Sequence, residues 1–243
     1  MRLRRTAAVP VLVLTAAFGF AGCSGDDAST TNAAADSDGD DEVSPQEVLA
    51  FAKGKLDETS GVDLTLSTED SPDSEAYLSR ASGVITADPP AFEGKASGTF
   101  EGLPASDVDI VSVDKKVYAK LFGSFQDFKL PKCVPDPAGL LDPDTGFATV
   151  LTDAQEVEAG KAVRGGADND EILTPYTAVV PGAAVQNLLP CAPGEEFVAT
   201  FSVDDEGLLR TAEIKGQFFE GGGDLTYTIA IADYDVDKAI TKP

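Results

Sequence analysis

The sequence predicts an α+β fold, an antiparallel sheet of many strands with a few short helices on one side, and three observations predict it. From Val62 onward apolar residues recur with period two: Val62, Leu64 and Leu66 alternate with Asp63, Thr65 and Ser67, the pattern of a strand with one buried and one wet face. The stretch "FVATFSVDDEGLLRTAEIKGQFF" reads as a hairpin turning at Asp204–Gly207. It sets Ala212, Ile214, Gly216 and Phe218 on one face and Thr211, Glu213, Lys215 and Gln217 on the other. Helical spacing interrupts the strands only in short pieces, which suits helices laid on a sheet rather than a bundle.

The first folded element is a helix. "SPQE" at 44–47 supplies Ser44 as N-cap, Pro45 in the first turn and Glu47 three residues on, a capping box. Val48, Leu49, Ala52 and Leu56 then make an apolar face, and Gly61 offers a stop. Strands follow at 62–67, 79–87, 92–101, 106–113 and 116–122, the last two joined across Asp114-Lys115. "LDPDTGFATVLTDA" predicts a helix over 143–152, with Asp142 as N-cap, Pro143 next, and Phe147, Val150 and Leu151 as its apolar stripe. "VPGAAVQNLLP" predicts another over 181–189, presenting Val185, Leu188 and Leu189. Between them, "EVEAGKAVR" and "YTAVV" hold further strand material, and after Gly221–Gly223 "DLTYTIAIADYD" alternates Leu225, Tyr227, Ile229 and Ile231 with smaller residues. The apolar face also carries the small residues Ala96, Gly98, Ala212 and Gly216, which suit either an enclosed space or the taper of a curved sheet.

Three segments divide the chain: 1–22, 23–43 and 44–243. The first has the form of an export leader. Arg2, Arg4 and Arg5 precede an apolar run that Pro10 and Thr15 break, too short for the roughly 20 apolar residues of a membrane span. Phe20-Ala21-Gly22-Cys23 has the form of a bacterial lipobox, with Phe where Leu is usual. Cys23 is therefore the expected lipid-attachment residue, holding the protein at the membrane by acyl chains on the extracytoplasmic face of a bacterial envelope; an incidental cysteine behind a plain leader is the competing reading. Residues 24–43 are small, polar and acidic, the composition of a disordered tether. Asp36, Asp38, Asp40 and Glu47 match positions 1, 3, 5 and 12 of a calcium-binding loop, but Asp41 stands where that loop needs Gly, and no helix precedes it. Residues 44–243 make a single domain.

With Cys23 set aside, Cys133 ("LPKCVP") and Cys191 ("NLLPCAP") remain, both in proline-flanked loops. In an oxidising compartment they are expected to pair. Closing 58 positions is worth about 4 kcal/mol in the chain-entropy treatment. No Cys-x-x-Cys is present, so the role is structural rather than redox.

Composition removes other functions. A net charge of −24 and a pI near 4.1 repel phosphate backbones, so no nucleic-acid partner is expected. There is no histidine, hence no Ser-His or Cys-His nucleophile and no imidazole base or metal ligand. Phosphate-cradling and dinucleotide motifs are missing too, and no cofactor is expected. Acid pairs abound, yet with 7% aromatics and no Trp a sugar-cleaving carboxylate pair lacks its stacking partners. The expectation is a protein that is not an enzyme.

"DPAGLLDPDTGFATVL", "VPGAAVQNLLP" and the closing "FFEGGGDLTYTIAIADYDVDKAITKP" carry a resemblance. In these stretches, and in the order of elements across 44–243, the chain resembles the mycobacterial LppX–LprA–LprF–LprG lipoproteins. The resemblance implies a strongly curved antiparallel sheet, a half β-barrel like that of the Lol carriers, closed on its concave face by short helices around an apolar cavity. It further implies a carrier that binds multi-acyl lipids or glycolipids, of triacylated glycolipid or triacylglycerol type, and moves them across the envelope, with a lipid exporter as a further partner. The paired cysteines and the acidity do not belong to the resemblance.

The expected cavity residues are Leu64, Leu66, Phe100, Ile110, Phe147, Val150, Leu151, Val185, Leu188, Ile214, Phe218 and Ile229. The helices at 143–152 and 181–189 are the expected gate. A surface adhesion, signalling or exporter-accessory lipoprotein with a filled core is the alternative.

Overall fold

Ser44 starts the first helix, α1 (Pro45–Glu58), through the expected capping box. Its backbone N–H donates to the Glu47 carboxylate at 2.8 Å, and its hydroxyl accepts from the Glu47 N–H at 3.3 Å. Hydrogen bonds from Ser44 hold the Glu47 carboxyl below the usual carboxylate range. Leu49, Ala52 and Leu56 are buried along one face. Gly61 does not stop this helix. The chain leaves it at Thr59 in an extended conformation. Gly61 instead opens the first strand, where a Cβ would collide with the carbonyl oxygens of Val236 and Ile85. This computed structural model describes residues 43–243 apart from 73, 75, 101 and 167–169. The leader, Cys23, the acidic stretch and the aspartates of the calcium-like pattern lie outside the described residues.

Twelve strands among the described residues form one open antiparallel sheet. The first six are β1 (Gly61–Ser67), β2 (Tyr77–Thr86), β3 (Ala91–Phe100), β4 (Leu103–Val113), β5 (Lys116–Leu121) and β6 (Ser124–Asp127). The other six are β7 (Gln155–Ala159), β8 (Val163–Gly165), β9 (Glu171–Pro181), β10 (Glu196–Asp204), β11 (Leu209–Gly216) and β12 (Leu225–Tyr234). Spatially the order runs β6-β5-β4-β3-β2-β1-β12-β11-β10-β9-β7, with β8 also on β9. The chain therefore builds one half outward from the centre, crosses over, and builds the other half inward. Its last strand pairs with its first, Leu64 opposite Ile231 and Leu66 opposite Ile229.

Register decides which residues share the concave face. Leu66, Ala81, Ala96 and Val108 stand opposite one another across β1 to β4. One level along the strands, Gly83 faces Gly94, and a Cβ on either would strike the other strand; such close backbone approach lets a sheet curl. The β10–β11 hairpin turns where expected. The Asp204 carboxylate accepts from the backbone N–H groups of Glu206 and Leu208 and from the Arg210 side chain at 2.7 Å.

The helix expected at 143–152 is shorter. The Asp142 carboxylate does accept from Asp144 N–H, Thr145 N–H and the Thr145 hydroxyl at 2.9–3.0 Å, but these bonds close a turn around Asp142–Thr145. The Gly146 N–H then donates back to the Asp142 carbonyl, and regular α-helix, α2, covers only Thr149–Asp153. Asx-turn chemistry won over propagation, as Asp beside Pro allows. The last helix, α3 (Gly182–Leu188), lies within a residue of its expected bounds. α1 and α2 pack on each other and on strands of the β7–β11 half, while a 3₁₀ turn at Pro137–Gly139 lies against β2, β3 and β4.

Candidate functional site

Side-chain size along the concave face divides it in two. On the β9–β11 half, Phe197, Phe201, Val203, Leu209 and Ala212 are buried with Leu49, Leu56, Val150, Leu151 and Val180 in a continuous core. Even Gly216 is used up there, for a Cβ on it would enter the Phe197 ring. On the β1–β5 half, small residues recur. Ala81, Ala96, Ala105 and Ala119 floor a cavity of about 880 Å³.

The two regions meet at an aromatic wall. The Phe197 ring, in the core, lies 4.9 Å from that of Phe218, which in turn stands edge-on to Tyr227 at 5.1 Å. Phe218 and Tyr227 face the cavity. The Tyr227 hydroxyl donates to the Leu78 carbonyl at 2.8 Å, so it is satisfied by the sheet. Burial pushes its ionisation well above the usual phenol range, and it stays neutral.

Of the expected residues, Leu64, Leu66, Phe100, Ile110, Phe147, Val185, Leu188, Ile214, Phe218 and Ile229 all line the cavity. Val150 and Leu151 do not. Both are buried in the solid core, because the short α2 turns its stripe toward α1, α3 and β9. The cover also differs from the expected pair of helices. α3 supplies Val185 and Leu188, but the rest comes from the segment after β6, through Phe128, Leu130, Pro131, Val134, Pro135 and Leu140. That segment has no period and four prolines between 131 and 143, so pattern gave no element to assign. Its one legible signal was apolar content inside a supposed loop.

Cys133 and Cys191 are disulfide-bonded, with Cα atoms 5.4 Å apart. Both face the cavity. The bridge ties the covering segment to the chain just beyond α3, so the two parts of the cover are fastened together.

Among the lining residues only Lys132 and Glu220 carry charge. Both are exposed, as are Leu103, Pro104 and Cys191, and these five mark the rim. The interior beyond them has Ser74 and the satisfied Tyr227 as its side-chain hydroxyls. A chain with 42 Asp and Glu places one of them, the exposed Glu220, on the lining of this 880 Å³ space. Such a space offers nothing to an ion and favours hydrocarbon.

The sequence profile of the LppX_LprAFG lipoprotein family matches residues 44–241. The chain belongs to that family. Lipoarabinomannan carrier protein LprG of Mycobacterium tuberculosis (strain H37Rv) is 28% identical over 169 residues, 68% of either chain. The LprG of Mycobacterium bovis (strain BCG) matches to the same extent. Among solved folds, LprF from Mycobacterium bovis superposes with a TM-score of 0.68 at 15% identity, over 82% of this chain and 96% of that one. LppX from Mycobacterium tuberculosis gives 0.61 at 16%, over 81% and 98%. At those identities the likeness is one of fold: the LppX_LprAFG architecture is an open, curved antiparallel sheet with few helices, as found here.

Proposed function

We propose that this protein is a lipid carrier of the bacterial envelope, anchored through Cys23 on the extracytoplasmic side, that takes multi-acyl lipids or glycolipids into the cavity and hands them on. The observation that carries the proposal is the 880 Å³ space, lined by uncharged residues apart from the exposed Lys132 and Glu220, in a member of a lipoprotein family whose relative LprG is named a lipoarabinomannan carrier. A methylene fills about the same volume as a water molecule in the liquid, roughly 30 Å³. The cavity therefore has room for roughly 30 methylenes, or two long acyl chains, each methylene contributing about 0.8 kcal/mol on leaving water. In a triacylated glycolipid or a triacylglycerol, the third chain would lie in the mouth between Leu103 and Glu220. The role asked of the protein is to bind and release, which requires no chemical step and no cofactor. A lipid exporter that loads or unloads the cavity is the partner this role calls for.

The test is mass spectrometry of lipid extracted from residues 42–243, purified without Cys23. A stoichiometric multi-acyl species is expected. A lipid-free protein whose cavity stays empty in the presence of dispersed diacyl and triacyl lipids overturns the proposal. For the anchor, Cys23→Ala should move the protein from the membrane fraction to the soluble one; retention on membranes would show that Cys23 is not the attachment.

A further inference from the structure

Two hairpins at the cavity mouth carry exposed large apolar residues, Leu103 and Phe122. The β3–β4 and β5–β6 hairpins turn at the same end of the sheet, because β3 and β5 run the same way. Leu103, 70% exposed, begins β4 and lines the cavity. Leu121 lines it too, and the next residue, Phe122, is fully exposed. Apolar surface thus runs out of the cavity onto both tips. Leu121-Phe122-Gly123-Ser124-Phe125 carry no charge, whereas Glu101 and Gly102 lie between the paired residues Phe100 and Leu103 of the β3–β4 hairpin.

The backbone at Phe122 is the second observation. Leu121 pairs with Ser124, leaving Phe122–Gly123 as a two-residue turn with φ of 53° and 89°. Such turns favour Asn or Asp followed by Gly. Six residues other than glycine have positive φ among the described residues: Asp107, Asp114, Lys115, Phe122, Glu156 and Asp235. Five are polar, as left-handed positions prefer; a bulky aromatic there is an outlier. Phe122 is held in an unfavourable conformation and leaves its whole ring in water. Nothing within the described fold offsets either cost.

We propose that the mouth end of this protein docks on a lipid bilayer through these two tips, with Phe122 entering the boundary between headgroups and acyl chains. An aromatic ring on a short turn suits that depth. From Leu121 to Phe125 the Phe122 tip presents no carboxylate to the headgroups. Contact there lets an acyl chain pass from bilayer to cavity along Leu103 and Leu121 without crossing water. The docking extends the lipid-carrier reading and is tested apart from it.

The chain has no Trp, so Phe122→Trp in residues 42–243, which form one compact unit, installs a single reporter. Its emission should shift to the blue on adding phosphatidylcholine vesicles; an unchanged spectrum overturns docking whether or not the cavity holds lipid. Phe122→Asn supplies the residue the turn prefers, so thermal stability should hold or rise. Transfer of a fluorescent diacyl lipid between phosphatidylcholine vesicles should slow by about tenfold or more, the scale of one aromatic ring no longer buried. Lipid content as purified should not change. Undiminished transfer, or a loss of thermal stability showing that Phe122 packs within the fold, overturns the inference. If the native protein holds no lipid and transfers none, the carrier reading falls, and the Trp emission still decides the docking.

Discussion

The two halves of the concave face use the same alternation and end in opposite states. On β10, Phe197, Phe201 and Val203 point inward and meet α1, α2 and their neighbours, so that half is solid. On β2 and β3, Ala81 and Ala96 occupy equivalent inward positions. They face a segment that spans over them instead of packing down. Period-two patterning specifies which face is inward; side-chain volume and the nature of the cover specify whether inward means filled. The difference is a division of labour, in which one half supplies stability and the other supplies space.

Truncation of a large aromatic should separate the halves most widely. Phe201 is fully buried, and Phe201→Ala should cost about 3–5 kcal/mol, as cavity creation in a packed core does. Phe100 lines the existing cavity, half-buried, with the Phe128 ring edge-on at 6.2 Å. Phe100→Ala should cost about 1 kcal/mol, the scale of one aromatic pair. Denaturant unfolding of both variants measures the contrast, and equal losses would mean that the β1–β5 half is packed after all.

Removal of the disulfide comes next. Cys133→Ser with Cys191→Ser frees the covering segment from the end of α3, and should lower stability by about 4 kcal/mol. Because both cysteines belong to the cover and neither to the sheet, lipid exchange should speed up more than equilibrium affinity changes. Stopped-flow release of a fluorescent lipid beside a binding titration measures the two. Faster exchange fully matched by weaker affinity would show that the bridge shapes the cavity and does not restrain its cover.

Filling the small positions tests the comparison from the other side. Ala212→Phe overpacks the closed half and should cost about 1–3 kcal/mol. Ala96→Phe projects into free volume, so stability should hold while retained lipid falls. Loss of stability with lipid content intact would exchange the roles of the two positions.

What the sequence made legible follows the same division. Ten of the twelve residues expected on the cavity line it because period two, applied to Leu64, Ile110 or Ile229, identifies a face without knowing what lies opposite. Val150 and Leu151 were misplaced because their direction depends on where the helix begins, and Asp142 closed a turn first. The covering segment was unreadable for a related reason. Its position comes from long-range ties, the Cys133–Cys191 bridge and the hydrogen bond between Ser112 and Asp136, and neither leaves a local period. The exposed tip at Phe122 was hidden in the same way, since an aromatic beside Gly looks like the end of a buried strand.

The smallest expected effect lies at the seam. Asp142 holds the turn that leads into Phe147, a residue shared by core and cavity. Hydrogen bonds from the Thr145 side chain, then from the Asp144 and Thr145 backbone, keep its carboxyl below the ordinary carboxylate range. A depressed folded-state value means that the ionised form stabilises the fold. The contribution is complete above the unfolded carboxylate pKa of about 3.9 and is lost as pH falls through the lower folded value. The site is exposed, so solvent screening keeps the effect small. The stability difference between the native protein and Asp142→Ala should be level from neutral pH to about 5 and shrink below about 4. A difference that stays constant into acid would assign the turn to the Pro143 ring and the Gly146 backbone instead. Lipid release sharing the same acid midpoint would place the seam, rather than the cover, as the first part of the cavity to open.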